Sequence, residues 1–130
     1  MDLGAKNRSS FQPSAMSVEE VRLALSGSVR CYIYDCNPLR RFEKHRIPGS
    51  ARLDPGRYTE SELPADKNAF VLFYCLEVRC SASLTAARRA MEMGYENAAY
   101  MPEGINGWLE AGLQVESGSI AELQVETGSE

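Results

Sequence analysis

No apolar stretch in the 130-residue sequence approaches the roughly 20 residues needed to span a bilayer, so neither a membrane span nor a membrane partner is expected. The opening "MDLGAKNRSSFQPSAM" lacks the continuous apolar segment of a secretory signal. A cytoplasmic, reducing location is therefore the expectation, with the four cysteines as free thiols. Lysine and arginine are missing after Arg89, whereas Arg40, Arg41, Lys44, Arg46, Arg52 and Arg57 crowd the middle. The net charge is −4 and no basic stripe is interleaved with aromatics, which argues against a nucleic-acid partner. The basic middle is expected to be a solvated charged face, one able to draw in small anions or an acidic partner.

What is present is an ordinary globular composition, 44% apolar and 25% charged, at a length that supports one core without staples. Residues 1–13 are polar and without period and are expected as a flexible leader, and residues 14–116 as one folded domain. Ser17 and Glu20 form a capping-box pattern ahead of Val18, Val21 and Leu25 at helical spacing, which predicts a helix over 18–26 stopped by Gly27. "RCYIYDC" predicts a short strand ending near Asp35 and buried on both faces. Pro38 suits the first turn of a short helix, "PLRRFEKH", which ends before the extended "RIPGSARL". A polar connection runs from Asp54 to Asn68, and within it Thr59 and Glu62 suggest a second capping box.

"AFVLFY" is an unbroken apolar run without charge, the pattern of a central parallel strand covered on both faces. "SASLTAARRAMEMG" places Leu84, Ala87 and Met91 at helical spacing and ends at Gly94, the expected glycine after a helix. "NAAYM" gives one more strand and "GINGWLEAG" one more short helix. The alternation predicts an α/β fold whose central, mostly parallel sheet of about five short strands carries helices on both faces. Residues 117–130, acidic and rich in Ser and Gly, with "QVESGS" echoed as "QVETGS", are expected as a flexible tail.

Cys75 directly follows the central strand, and the next helix begins near Ser81. The loop between them must lie beyond the carboxyl ends of the strands, where open parallel sheets bind ligands. Successive loop N–H groups and the positive end of the following helix suit an anion, and a thiolate is one. Such a setting predicts a Cys75 thiol lowered from about 8.5 into the range of roughly 3.5 to 7.5. Arg79 adds positive charge to the loop and Glu77 opposes it. A cysteine buried at a strand end is an equal reading on position alone.

Three segments in order carry a resemblance. "YIYDCNPLRRFEKHRIPGSA", "FVLFYCLEVRCSAS…AARRAMEMGYENA" and "MPEGINGWLEAGLQVE" resemble, at normal separations, the strand-end Asp and "GHIPGA" segment, the catalytic-cysteine loop and the closing "L-x-G-G-x-x-x-W-x-x-A-G-L-P-V" of rhodanese domains. The resemblance covers about Ser17 to Leu113. It implies the three-layer rhodanese-like fold over 14–116 and a sulfurtransferase in which Cys75 attacks the outer sulfur of a small anionic donor such as thiosulfate. Cys75 would then hold a persulfide and pass the sulfur to a thiol or other nucleophilic acceptor, including one on a protein. It further implies an anion-binding loop of Leu76, Glu77, Val78, Arg79, Cys80 and Ser81, support from Asp35 and Arg41, and no metal or organic cofactor.

The chain departs from the family pattern at several places. Cys80 stands where Arg often closes the loop, Asn37 where Arg is common, Arg46 where His is, Glu103 where Gly is and Gln114 where Pro is. His45, the single histidine, is one place off the family position and is expected at the surface. Cys80 is open to three roles: a spacer packed under the loop, a resolving thiol for Cys75, or a second sulfur acceptor. A four-cysteine zinc site is disfavoured because Cys31 and Cys36 would point to opposite faces of one strand. A cysteine phosphatase is disfavoured because Ser81 stands where that class needs Arg. A non-enzymatic module, sensing oxidants through Cys75 and Cys80 or docking a partner, is the alternative to an enzyme.

Overall fold

A computed structural model of the protein describes residues 11–119. Its strands are β1 (Ser14–Ala15), β2 (Cys31–Asp35), β3 (Ala51–Arg52), β4 (Phe70–Tyr74) and β5 (Ala98–Met101). They alternate with helices α1 (Val18–Leu25), α2 (Leu39–Lys44), α3 (Ala82–Glu92) and α4 (Gly104–Glu110), with a short 3-10 turn at Glu60–Glu62. The five strands form one sheet in the order β1-β5-β4-β2-β3, parallel throughout. The uncharged run "AFVLFY" is thus the central strand, as its composition demands: a strand with neighbours on both edges and layers on both faces exposes nothing to water.

Side-chain alternation along β4 separates two cores. Val71, Phe73 and Cys75 face Ala86, Ala87 and Ala90 of α3, with Tyr34, Cys36, Leu53, Tyr58 and Tyr95 around them. Leu72 and Tyr74 face the other layer, with Val18 and Val21 of α1 and Ile105 and Trp108 of α4. Small alanines on α3 let it lie close against the sheet. These three layers form the expected architecture.

Local signals act where the sequence places them. Ser17 Oγ accepts the Glu20 N–H at 3.1 Å and the Glu20 carboxylate accepts the Ser17 N–H at 2.9 Å, closing the capping box of α1. Glu62 reaches back to the Thr59 N–H at 3.1 Å. Gly94 takes a φ of +105°, ending α3 in the left-handed conformation open to glycine.

Three features were not expected. β1 is a two-residue edge strand held by β5, and Met16 extends it by donating to the Tyr100 carbonyl at 2.8 Å. Arg46 does not belong to a solvated face: it is 2% exposed, lies over the Phe42 ring, and its guanidinium donates to the carbonyls of Phe42, Ser117 and Gly118. The chain around Glu116 therefore pairs with Arg46 in an antiparallel bridge, and Gly118 donates to the Glu43 carbonyl at 2.8 Å. His45 is half-buried instead of exposed, and its Nδ1 has no hydrogen-bond partner. Most of the expected leader and tail, residues 1–10 and 120–130, lies outside the described residues. No helix among the described residues is long and apolar enough to cross a membrane.

Candidate active site

The strand β4 ends at Tyr74 and α3 begins at Ala82, so Cys75 to Ser81 form the loop at the carboxyl edge of the sheet. A turn inside it, closed by the Cys80 N–H on the Glu77 carbonyl at 2.9 Å, folds Cys80 back toward Cys75. Ser81 precedes α3 without capping it through its side chain. That leaves the first N–H groups of an eleven-residue helix without a capping side chain, and those of Ser83 and Ala82 favour the thiolates of Cys75 and Cys80.

Cys75 is 1% exposed. Its thiol donates to the Cys80 carbonyl at 3.5 Å and lies 3.7 Å from Ser83 Oγ. Burial pushes this thiol up and its hydrogen bond with the Cys80 thiol adds to that, while the backbone and hydroxyl of Ser83 pull it back down. Cys80 is half-exposed and shifts the other way. Burial opposes its thiolate too, but the hydrogen bond from Cys75, the N–H groups of Ala82 and Leu76, and the charge of Arg41 outweigh it and hold the thiol below its ordinary value. Two interacting thiols titrate as one unit, and the first charge settles where solvent and donors are best. The lowered thiol expected at Cys75 is therefore found at Cys80. The missing information was depth: desolvation of the sulfur outweighs its place at a helix end.

Of the other expected site residues, Arg41 acts on the loop through its charge on Cys80. Arg79 does not: its side chain is 86% exposed and it pairs with Glu77 at 3.4 Å. Val78 is also exposed. Asp35 sits beside Tyr74 in the sheet register but its side chain interacts with Tyr74, on the face opposite Cys75. There its Oδ1 accepts the Asn37 N–H at 2.7 Å. Burial pushes this carboxyl up, against the pull of Tyr74, Asn37 and Arg52. Asp35 thus braces the strand end and does not address the sulfur. Tyr74 ties the same region together, its hydroxyl accepting the Ile47 N–H at 3.0 Å.

Two openings bear on the loop, one through the charge of Arg41 on Cys80 and one lined by Glu77 and Val78 of the loop itself. Pro38, Arg40, Arg41 and Lys44 line a cavity of about 420 Å³ on the cationic side. Glu77, Glu103 and Glu110, with Val78, Asn106 and Gly107, line an acidic cleft of about 230 Å³ on the other. The cationic lining of the α2 cavity suits a small anion better than the acidic cleft does. Cys36, buried in the same core as Cys75, feels the charge of both loop cysteines, and burial raises its thiol well above the ordinary value. Cys31 packs into the opposite core, so the Cys31–Cys36 pair cannot close on one ion.

Gly104 is a site residue that the composition and spacing did not reveal. It has a φ of +64°, and a Cβ there would fall 2.5–2.6 Å from the carbonyl oxygens of Leu76 and Cys75. The close approach lets Ile105 and Asn106 donate to the Cys75 and Leu76 carbonyls at 2.9 and 3.0 Å, clamping α4 onto the Cys75–Ser81 loop. Its signal was present as the second glycine of the closing motif. The departures from the family pattern are absorbed locally. Glu103 Oε1 accepts the Val18 N–H at 3.0 Å and so caps α1, and the Gln114 carbonyl accepts the Trp108 indole N–H at 2.8 Å. Asn37 is buried, with its carbonyl accepting from Arg52 and its Nδ2 unpartnered.

Residues 17–111 match the family model described as Rhodanese-like domain. No curated protein sequence matches the chain closely. Among solved structures, a protein of Bacillus halodurans superposes with a TM-score of 0.73 at 16% identity, over 80% of this chain and 77% of that one. A Rhodopseudomonas palustris protein of unknown function, described as a possible tyrosine phosphatase, gives 0.66 at 22% identity, over 89% and 99%. The thiosulfate sulfurtransferase of Pseudomonas aeruginosa gives 0.72 at 24% identity over 82% of this chain, which spans about a fifth (21%) of that protein.

Proposed function

The chain belongs to the rhodanese-like domain family, and on that premise we propose that it is a sulfurtransferase working through a Cys75 persulfide. The observation that carries the reading is the placement of the Cys75 sulfur: at the carboxyl end of the central strand, against the N-terminus of α3, which no side chain caps, and within hydrogen-bonding reach of the Cys80 carbonyl and the Ser83 hydroxyl. The donor is a small anion such as thiosulfate, drawn to the loop past Arg40, Arg41 and Lys44. As Cys75 attacks the outer sulfur, its proton passes to the Cys80 thiolate, sulfite leaves with the electron pair of the broken S–S bond, and the persulfide anion remains on Cys75. The uncapped N–H groups of the loop and α3 stabilise both the sulfur anion and the departing group. The acceptor, a thiol or other nucleophile including a protein thiol, then removes the outer sulfur, with no metal or organic cofactor. Free thiols suit this chemistry to a reducing compartment such as the cytoplasm.

Phosphate ester hydrolysis is the lesser reading, since the fold is shared but Ser81 offers no guanidinium to a phosphoryl group. The test is incubation with thiosulfate followed by intact mass and by transfer to cyanide. One added sulfur per chain and thiocyanate formation are expected; release of phosphate from an aryl phosphate without either would reverse the assignment.

A further inference from the structure

The loop holds a second thiol whose surroundings are not those of a spacer. Cys80 is half-exposed, and the donors that an anion cradle would offer, the N–H groups of Leu76 and Ala82, are directed to its sulfur. The turn closed by the Cys80 N–H on the Glu77 carbonyl at 2.9 Å folds Cys80 back toward Cys75, and the Cys75 thiol donates to the Cys80 carbonyl at 3.5 Å. Cys75 is itself only 1% exposed, whereas Cys80 is half-exposed. An external acceptor therefore meets the outer sulfur of a persulfide there before the inner one, whereas Cys80 is already folded back toward Cys75 within the same loop. Cys36 shares the core but is buried with no opening and stays protonated, so it does not compete.

We infer that Cys80 is a resolving thiol that attacks the inner sulfur of the Cys75 persulfide, closing a Cys75–Cys80 disulfide and releasing the transferred sulfur as hydrosulfide. The inference rests on Cys75 as the nucleophile. The proton that Cys80 received during loading goes to the outer sulfur, so Cys75–S–S⁻ and Cys80–SH become Cys75–S–S–Cys80 and HS⁻. The sulfane sulfur gains two electrons and the two cysteine sulfurs lose them. A dithiol reductant of the cell then reopens the disulfide by exchange and is itself oxidised to a disulfide. The protein on this route is a dithiol-dependent, sulfide-releasing enzyme as well as a donor of sulfane sulfur to external nucleophiles.

The experiment loads the full chain with thiosulfate, removes excess donor, and follows intact mass and free sulfide without reductant, for the wild type and for Cys80→Ser and Cys80→Ala. The expected result for the wild type is loss of the added sulfur, release of about one sulfide per loaded chain by the stoichiometry above, and a chain two hydrogen masses lighter that dithiothreitol restores. Both variants lack the proton acceptor used in loading and are expected to load more slowly at neutral pH, so they are loaded at a higher pH where Cys75 ionises unaided; once loaded they are expected to keep the added sulfur and release none. Equal decay of the persulfide in wild type and variants, with no lighter species, overturns the resolving role and leaves the sulfurtransferase reading in place. Absence of any added sulfur in all three proteins overturns both.

Discussion

Cys31 and Cys36 have the same five-residue separation as Cys75 and Cys80, but the fold treats the two pairs differently. The first pair straddles a strand, so alternation sends its thiols into different cores: Cys31 toward the α1 and α4 layer, Cys36 toward α3. Burial is the largest influence on both, pushing Cys31 up to about 11 and Cys36 well above its ordinary value. The second pair begins where a strand ends and is folded by a turn against a helix N-terminus, so its thiols meet and share hydrogen bonds. Spacing in sequence does not make a dithiol; the element beneath it does.

Replacing Cys75 by Ser is the largest blow to this contrast. Sulfur loading and thiocyanate formation are expected to fall by at least about 10³-fold, because the nucleophile is lost outright, and a stopped assay with thiosulfate and cyanide reads it. Gly104→Ala comes next, since the new Cβ must enter the space of the Leu76 and Cys75 carbonyls from a left-handed backbone. A loss of about 3 kcal/mol in urea unfolding is expected, with the loop released from α4 and the two cysteine pairs made more alike in reactivity. Unchanged stability would mean that α4 does not clamp the loop.

Smaller effects sharpen the comparison. Burial works against the Cys80 thiolate and Cys75, the loop N–H groups and Arg41 work for it, so the thiolate persists to lower pH than in a free cysteine. Alkylation of Cys80 falls as pH drops through that lowered value. Arg41→Gln removes one stabilising charge and shifts the alkylation midpoint upward, by less as salt is added, because Arg41 is exposed. Cys31→Ser is the smallest: sulfur transfer is expected to stay within about twofold of wild type, since Cys31 packs in the opposite core, away from the loop. A large loss in that variant would join the two pairs that the fold separates.

Much of this was legible in the residues because the signals were local. The capping box of Ser17 and Glu20, the uncharged run of β4 and the glycine after α3 each carry their own reason, and each holds in the structure. β1 left no trace, since two residues have no period and its pairing is dictated by Tyr100 and its neighbours far along the chain. Arg46 looked like one more surface cation because its partners, the carbonyls of Ser117 and Gly118, are remote in sequence. At the site, the position of Cys75 could be placed from the strand before it and the helix after it. The exchange of acidity between Cys75 and Cys80 could not, because it depends on how deep each sulfur lies and which N–H groups remain uncapped.

The central claim is that sulfur enters at Cys75. Arg79 lies between the two loop cysteines, so trypsin separates residues 68–79, carrying Cys75, from residues 80–88, carrying Cys80, and from 31–40, carrying Cys31 and Cys36. Thiosulfate-loaded protein, quenched early by alkylation and mapped after digestion, is predicted to carry the additional sulfur on the 68–79 peptide. An extra sulfur appearing first on the 80–88 peptide, or on 31–40, would contradict the account.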